Sequence, residues 1–176
     1  MKIKNLGIVA AAFAIANSPL VAHSQGFYLG GQYSLVTIDT TVSGVGSAEW
    51  EPTNLIVRGG VHATDYFQLE GRLGFNLNDD DVNGVSLEVD QLVGVYGKLS
   101  LPNEFSPYVI FGYSDIDLEI DGVSDDDDDF SYGIGLDFYV SERSAVNVEY
   151  MSYYDDSDDG VDVEITAIGI GFTYKF

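Results

Sequence analysis

Cysteine is absent from the whole chain, which excludes disulfides, thiolate metal sites and a cysteine nucleophile, so stability has to come from the fold itself. Cations are nearly as scarce. Lys and Arg number 7 against 29 Asp and Glu, a formal net charge of -22. A field of that sign repels a phosphate backbone, which rules out nucleic acid as a partner and favours cations or basic surfaces. Histidine occurs only at His23 and His62, which leaves little material for acid–base chemistry. Beyond the first two dozen residues no apolar run approaches the roughly 20 residues of a membrane-spanning helix. Any insertion into a membrane must therefore use strands.

The first 24 residues differ in kind from the rest. Lys2 and Lys4 precede an apolar run from Leu6 to Ala16, and Ala22-His23-Ser24 has the small-x-small form of a leader cleavage site. Asn17 and Pro19 cut the run short of a spanning helix. The expected organisation is a secretory leader over residues 1–24, cut before Gln25, and one domain over residues 25–176. With no cysteine beside the cut, anchoring as a lipoprotein is excluded.

From Gln25 onward the pattern has a period of two. At the end of the chain Ile168, Ile170, Phe172, Tyr174 and Phe176 alternate with Gly169, Gly171, Thr173 and Lys175, a strand with one apolar face. Phe67, Leu69, Leu73, Phe75 and Leu77 alternate with Gln68, Glu70, Arg72 and Asn76, a polar set that a soluble interior would not hold. About eight such segments follow one another between turn signals. The fifth, starting near Pro107, is ambiguous because Tyr108, Val109, Ile110 and Phe111 are all apolar; Asp115, Asp117 and Glu119 are taken to mark its inward face. The arrangement predicts an all-β fold, an eight-stranded antiparallel transmembrane β-barrel whose outer face meets lipid. Connections alternate between short ones and longer acidic ones at 79–81, 125–129 and 155–162. In outer-membrane barrels the short turns are periplasmic, so both termini are expected in the periplasm and the acidic loops outside. Aromatic girdles are expected from Tyr66, Phe67, Phe105 and Tyr108 at one rim and from Trp50, Tyr153 and Tyr154 at the other.

Gly171, Tyr174 and the final aromatic Phe176 resemble the terminal assembly signature of outer-membrane barrels, with Ile170 where a polar residue is usual. After the leader, the chain resembles the small eight-stranded outer-membrane proteins of the OmpA-transmembrane or OmpX-like superfamily. That resemblance implies residence in the cell outer membrane, contact with its lipid, and recognition of the chain's end by the outer-membrane assembly machinery. No peptidoglycan-binding segment follows Phe176, so a tether to the cell wall is not expected.

Three groups of residues bear on function. Asp79, Asp81, Asn83, Gly84 and Asp90 have the spacing of a calcium loop, but the closing carboxylate is Asp rather than Glu and no helices flank it. A hydrated acidic loop is the plainer reading. His62 lies beside a short turn, far along the strands from Ser131 and Ser152. The histidine-dependent arrangement of barrels that resemble lipid A deacylases and palmitoyltransferases cannot be assembled from these residues, and neither enzyme activity nor a cofactor is expected. Inward parity gathers Arg58, Glu70, Arg72, Asp137 and Glu149, and counting from the short turns puts Arg58, Glu70, Asp137 and Glu149 at similar heights. Barrels of eight strands are just wide enough for side chains to fill, which predicts a charged plug. The expected function is a structural or surface-interaction role, with acidic loops meeting divalent cations or basic surface partners. A narrow porin-like channel for small solutes is the alternative, and continuity of the lumen separates the two.

Overall fold

A computed structural model of the chain describes residues 26–42, 44, 46–78, 80–82, 85–120, 123–158 and 161–176, with side chains described except at 42, 80–82, 85–90, 116–120, 123–129, 155–158 and 161. The leader expected over residues 1–24 lies outside them. Ten strands occur among the described residues: β1 (Phe27–Val42), β2 (Gly46–Trp50), β3 (Thr53–His62), β4 (Phe67–Asn78), β5 (Asp80–Val82), β6 (Val85–Ser100), β7 (Phe105–Ile120), β8 (Val123–Tyr139), β9 (Ser144–Asp158) and β10 (Val161–Lys175). All pair antiparallel with their neighbours, and β1 returns to pair with β10 from Tyr28↔Lys175 to Val42↔Val161. The sheet therefore closes into a barrel of eight staves. β2 and β5 are short additions that pair with β1 and β6 at the end away from the tight turns.

The alternation read from the sequence maps onto the two faces of this sheet. Leu29, Leu35, Ile134, Ile168 and Ile170 face outward and are each more than half exposed, while Gln32, Ser34, Arg58, Arg72 and Glu149 face inward and are buried. Nine outward-to-outward residues such as Phe27–Leu35, on a strand tilted by about 40°, span roughly 20–25 Å, the height of the apolar band of an outer-membrane barrel. A water-soluble protein would not leave so continuous an apolar belt open.

Two expectations change. The acidic runs 125–129 and 155–158 are not loops, because β8 begins at Val123 and β9 continues to Asp158. Above the band neither face has to be apolar, so a hairpin ladder already started below can continue upward whatever its side chains. The faces of β7 are also reversed from the reading that Asp115, Asp117 and Glu119 suggested. Tyr108, Ile110 and Ser114 are buried on the inward side, whereas Val109, Phe111 and Tyr113 are exposed and share the parity of Asp115. Tyr108 and Tyr153 consequently leave the girdles for the lumen, where they are 4% and 2% exposed. The fifth segment, expected to start near Pro107, begins at Phe105, with Pro107 as the third residue of β7.

Candidate functional site: the lumen and the acidic end

Arg58 and Arg72 stand directly opposite each other on β3 and β4, an arrangement that repels unless carboxylates surround it. They do. Arg72 Nε donates to Glu70 Oε1 at 2.7 Å, and its Nη1 and Nη2 donate to Glu149 Oε1 and Oε2 at 2.6 and 2.8 Å, a two-pronged guanidinium–carboxylate pair. Arg58 Nη1 donates to Gln32 Oε1 at 3.1 Å and lies 4.0 Å from Glu149, and its Nη2 donates to Asn147 Oδ1. Two tyrosines complete the carboxylates: Tyr28 donates to Glu70 at 2.6 Å and Tyr108 to Glu149 at 2.8 Å. Below them Lys98 Nζ donates to Asp137 at 2.6 Å and rests 3.7 Å from the Tyr108 ring centre.

Three cations thus meet three carboxylates, all at most 3% exposed, and the described inward face carries no net charge. Glycines make the room. A Cβ on Gly60 would strike the Tyr28 ring, one on Gly94 the Tyr96 ring, and one on Gly135 the Tyr108 ring. In two of these cases the tyrosine and glycine are cross-strand partners, Tyr28↔Gly60 and Tyr108↔Gly135.

Toward the acidic end the lumen changes character. Val36, Ile38, Leu92, Ile110, Met151 and Ile165 turn inward and form a buried apolar layer, with Trp50 packed against it. The interior is therefore filled twice, once by balanced charge and once by hydrocarbon. Trp50 belongs to this layer through its partner Ile38, and not to a lipid-facing girdle.

Of the residues singled out from sequence, Arg58, Glu70, Arg72 and Glu149 come together, while Asp137 sits apart with Lys98. Gln32, Asn147, Tyr28 and Tyr108 are functional members of the network that sequence reasoning missed; tyrosine placed across from glycine on inward parity was the available signal. Gly171 faces the lumen, where an added Cβ would meet Asn147 and Gln32, whereas Tyr174 and Phe176 face outward with ring centres 5.3 Å apart. Asp79, Asn83 and Gly84 lie outside the described residues, as do the side chains of Asp81 and Asp90. Among the described residues no three carboxylates or histidines approach closely enough to hold a metal.

His62 lines a vestibule of about 520 Å³ at the short-turn end together with Gln68, Ser100, Ser106 and Lys175. Its ring stands edge-on to Tyr28 at 5.3 Å. Both serines are engaged with other partners: Ser106 donates to the Leu101 carbonyl at 2.5 Å, and Ser100 accepts from Gln68 at 2.9 Å.

Charge is divided between the two ends. Among the described residues, apart from Asp65, Glu70, Glu104, Asp137, Glu142 and Glu149, every Asp and Glu falls on the side of the long connections, and every Lys and Arg lies in the lumen or at Arg143 and Lys175 near the short turns.

A closed eight-stave barrel with a lipid-height apolar belt and a filled lumen defines the class of outer-membrane barrel proteins. The chain belongs to the outer membrane protein beta-barrel domain family, whose model matches residues 7–176. Among solved structures it is similar to Neisserial surface protein A, at 16% identity over 87% of this chain and 99% of that one, with a TM-score of 0.62. It is also similar to OprG from Pseudomonas aeruginosa, at 14% identity over 88% and 97% with a TM-score of 0.57. Ail, the attachment invasion locus protein of Yersinia pestis, solved with the heparin analogue sucrose octasulfate, matches at 14% identity over 85% and 100% with a TM-score of 0.52. No curated protein matches the sequence. The family places the chain in the outer membrane.

Proposed function

We propose that this protein is a surface-displayed outer-membrane barrel with a structural or interaction role, and that it conducts no solutes. The carrying observation is the lumen, in which three buried cations paired with three buried carboxylates, and an apolar layer beyond them, fill the described interior. Both termini and the short turns face the periplasm, following the usual orientation of such barrels, and the acidic strand ends and connections stand outside the cell. That end attracts divalent cations, which screen neighbouring carboxylates collectively rather than at one rigid site, and basic partners. Binding of a sulfated sugar, as in the Ail complex, does not transfer, because the corresponding end here has no Lys or Arg to receive sulfate.

Planar-bilayer recording tests the first half: the intact protein is expected to give no stable conductance, and a large open level would replace this reading with the narrow-channel one. Calorimetry with calcium tests the second. Diffuse, salt-sensitive binding is expected, and a single tight event abolished by Asp81→Ala would restore the calcium-loop reading.

A further inference from the structure

The apolar belt is not uniform around the barrel. Across β6 to β10 a groove of about 930 Å³ runs over the outer face, with Val109, Ile134, Leu136 and Val148 along it and Tyr66 and Leu101 at its lower end. All of these are exposed side chains, so the groove opens to the membrane and not to the lumen. Its course follows one row of cross-strand partners, Leu99↔Val109, Val109↔Ile134, Ile134↔Tyr150 and Tyr150↔Ile168. Such rows climb. Followed from partner to partner round the barrel, the row that leaves β7 at Pro107 returns to it at Asp117, ten residues further up. That stagger over eight staves corresponds to strands tilted by about 40°, so four steps of the row cover roughly 19 Å and rise by about 12 Å. A leaflet contributes half of a hydrocarbon core ~30 Å thick. The groove therefore rises from the short-turn rim over about the depth of one leaflet.

We infer that this groove seats an acyl chain of one phospholipid from the leaflet at the short-turn end, and that the rim at its mouth selects a headgroup bearing an ammonium over one of net negative charge. The groove is continuous with the belt that lipid already covers, and its shape favours a single chain. On β7 and β8 its aliphatic floor lies between two outward aromatic pairs, Phe105↔Phe138 below and Phe111↔Tyr132 above. A chain lying there gains dispersion contacts along its flanks as well as beneath, which a flat wall does not offer. Self-association is the poorer fit, because in lipid nothing is gained from covering one apolar surface with another. At the mouth Tyr66, 56% exposed, sits at the level where an apolar ring with a polar tip is favoured. The two turns that meet there, residues 63–66 and 101–104, are tied together by Ser100 N donating to the Tyr66 carbonyl at 2.8 Å. They carry Asp65 and Glu104 and no Lys or Arg. Carboxylates so placed attract an ammonium and repel an anionic headgroup. Naming this leaflet the inner one rests on the orientation proposed above.

Native mass spectrometry of the folded protein, released by mild detergent from vesicles of equal parts phosphatidylethanolamine and phosphatidylglycerol, tests this. One phospholipid is expected to stay bound per barrel, the ethanolamine lipid over the glycerol lipid on the order of tenfold, the scale of one or two charges at a membrane surface. Ile134→Trp fills the middle of the groove and should lower retention by a similar factor. Val57→Trp, on the outward face of β3 and away from the groove, should leave it unchanged, which separates loss of the site from a general effect of a bulky outward residue. Asp65→Lys with Glu104→Lys should reverse the headgroup order while retention persists. No bound lipid, equal retention in Ile134→Trp, or a headgroup order that ignores the two lysines would overturn the inference, as would a dimer lost on Ile134→Trp in place of a lipid. Both leaflets of these vesicles hold the same lipids, so the result does not depend on orientation, which protease protection on intact cells tests separately.

Discussion

Replacing Arg72 by alanine tests the lumen most severely. Arg72 supplies three short bonds to two carboxylates, Glu70 and Glu149, and its guanidinium also lies 4.8 Å from the Tyr96 ring centre. Without it, Glu149 keeps Tyr108, the Gln32 amide at 3.3 Å and a distant Arg58, and Glu70 keeps Tyr28 as a direct donor. Two carboxylates remain where one arginine stays, in a space closed to water. Breaking one partner out of a buried pair costs about 3–5 kcal/mol, against a total stability that for most domains is about 5–15 kcal/mol. Arg72→Met combined with Glu149→Gln removes one charge of each sign and leaves Arg58 with Glu70. Since balanced removal of a buried pair is often nearly neutral, the double variant is expected to be more stable than Arg72→Ala by about 2 kcal/mol or more. Reversible urea unfolding in lipid vesicles, with Trp50 as the only tryptophan, measures both. A cost below about 1 kcal/mol for Arg72→Ala, or a double variant as damaged as the sum of its singles, would refute the argument that charge balance governs this layer. In either case bilayer recordings should stay silent, because the apolar layer above is untouched.

Gly135→Ala drives a methyl into the Tyr108 ring and is expected to cost about 1–3 kcal/mol as overpacking, whereas Gly31→Ala, with nothing within 4 Å of the new methyl, should be close to neutral; thermal gel shifts of the folded form compare them. Phe176 is 67% exposed, so Phe176→Ala should leave unfolding in detergent unchanged yet lower the amount of protein in the outer membrane, and normal membrane levels would argue against a role in assembly. Protease applied to intact cells should cut only in the long connections, and a cut at Thr64-Asp65 would reverse the orientation.

Most of the wall was legible in the sequence, because lipid on one side and a polar lumen on the other impose the same period of two on every stave. Legibility failed where one of those two environments gives out. At Ser114 and Asp115 two successive residues of β7 are buried, so burial there does not alternate, and reading the strand's parity from Asp115 inverted Tyr108. The apolar layer was invisible for a related reason. Ile38, Ile110 and Ile165 occupy inward positions with side chains that a lipid-facing site would equally accept, and the pattern registers them only as irregularity. Charge partners are set by barrel closure, which brings β4 to β9; the predicted cluster held Arg58, Glu70, Arg72, Asp137 and Glu149 but left out Lys98, and so could not assign Asp137 its partner.

The ion pairs also order events in assembly. Arg58, Glu70 and Arg72 all belong to the β3–β4 hairpin, and together they carry one unbalanced positive charge until Glu149 arrives from β9, 77 residues further along the chain. A half-built sheet entering the bilayer would therefore present a bare guanidinium to hydrocarbon, which strongly disfavours insertion stave by stave. The late strands must reach the early hairpin before or as the barrel crosses the membrane. Neutralisation of the lumen and closure of the cylinder are then a single step, and stalled intermediates should accumulate at the membrane surface rather than within it.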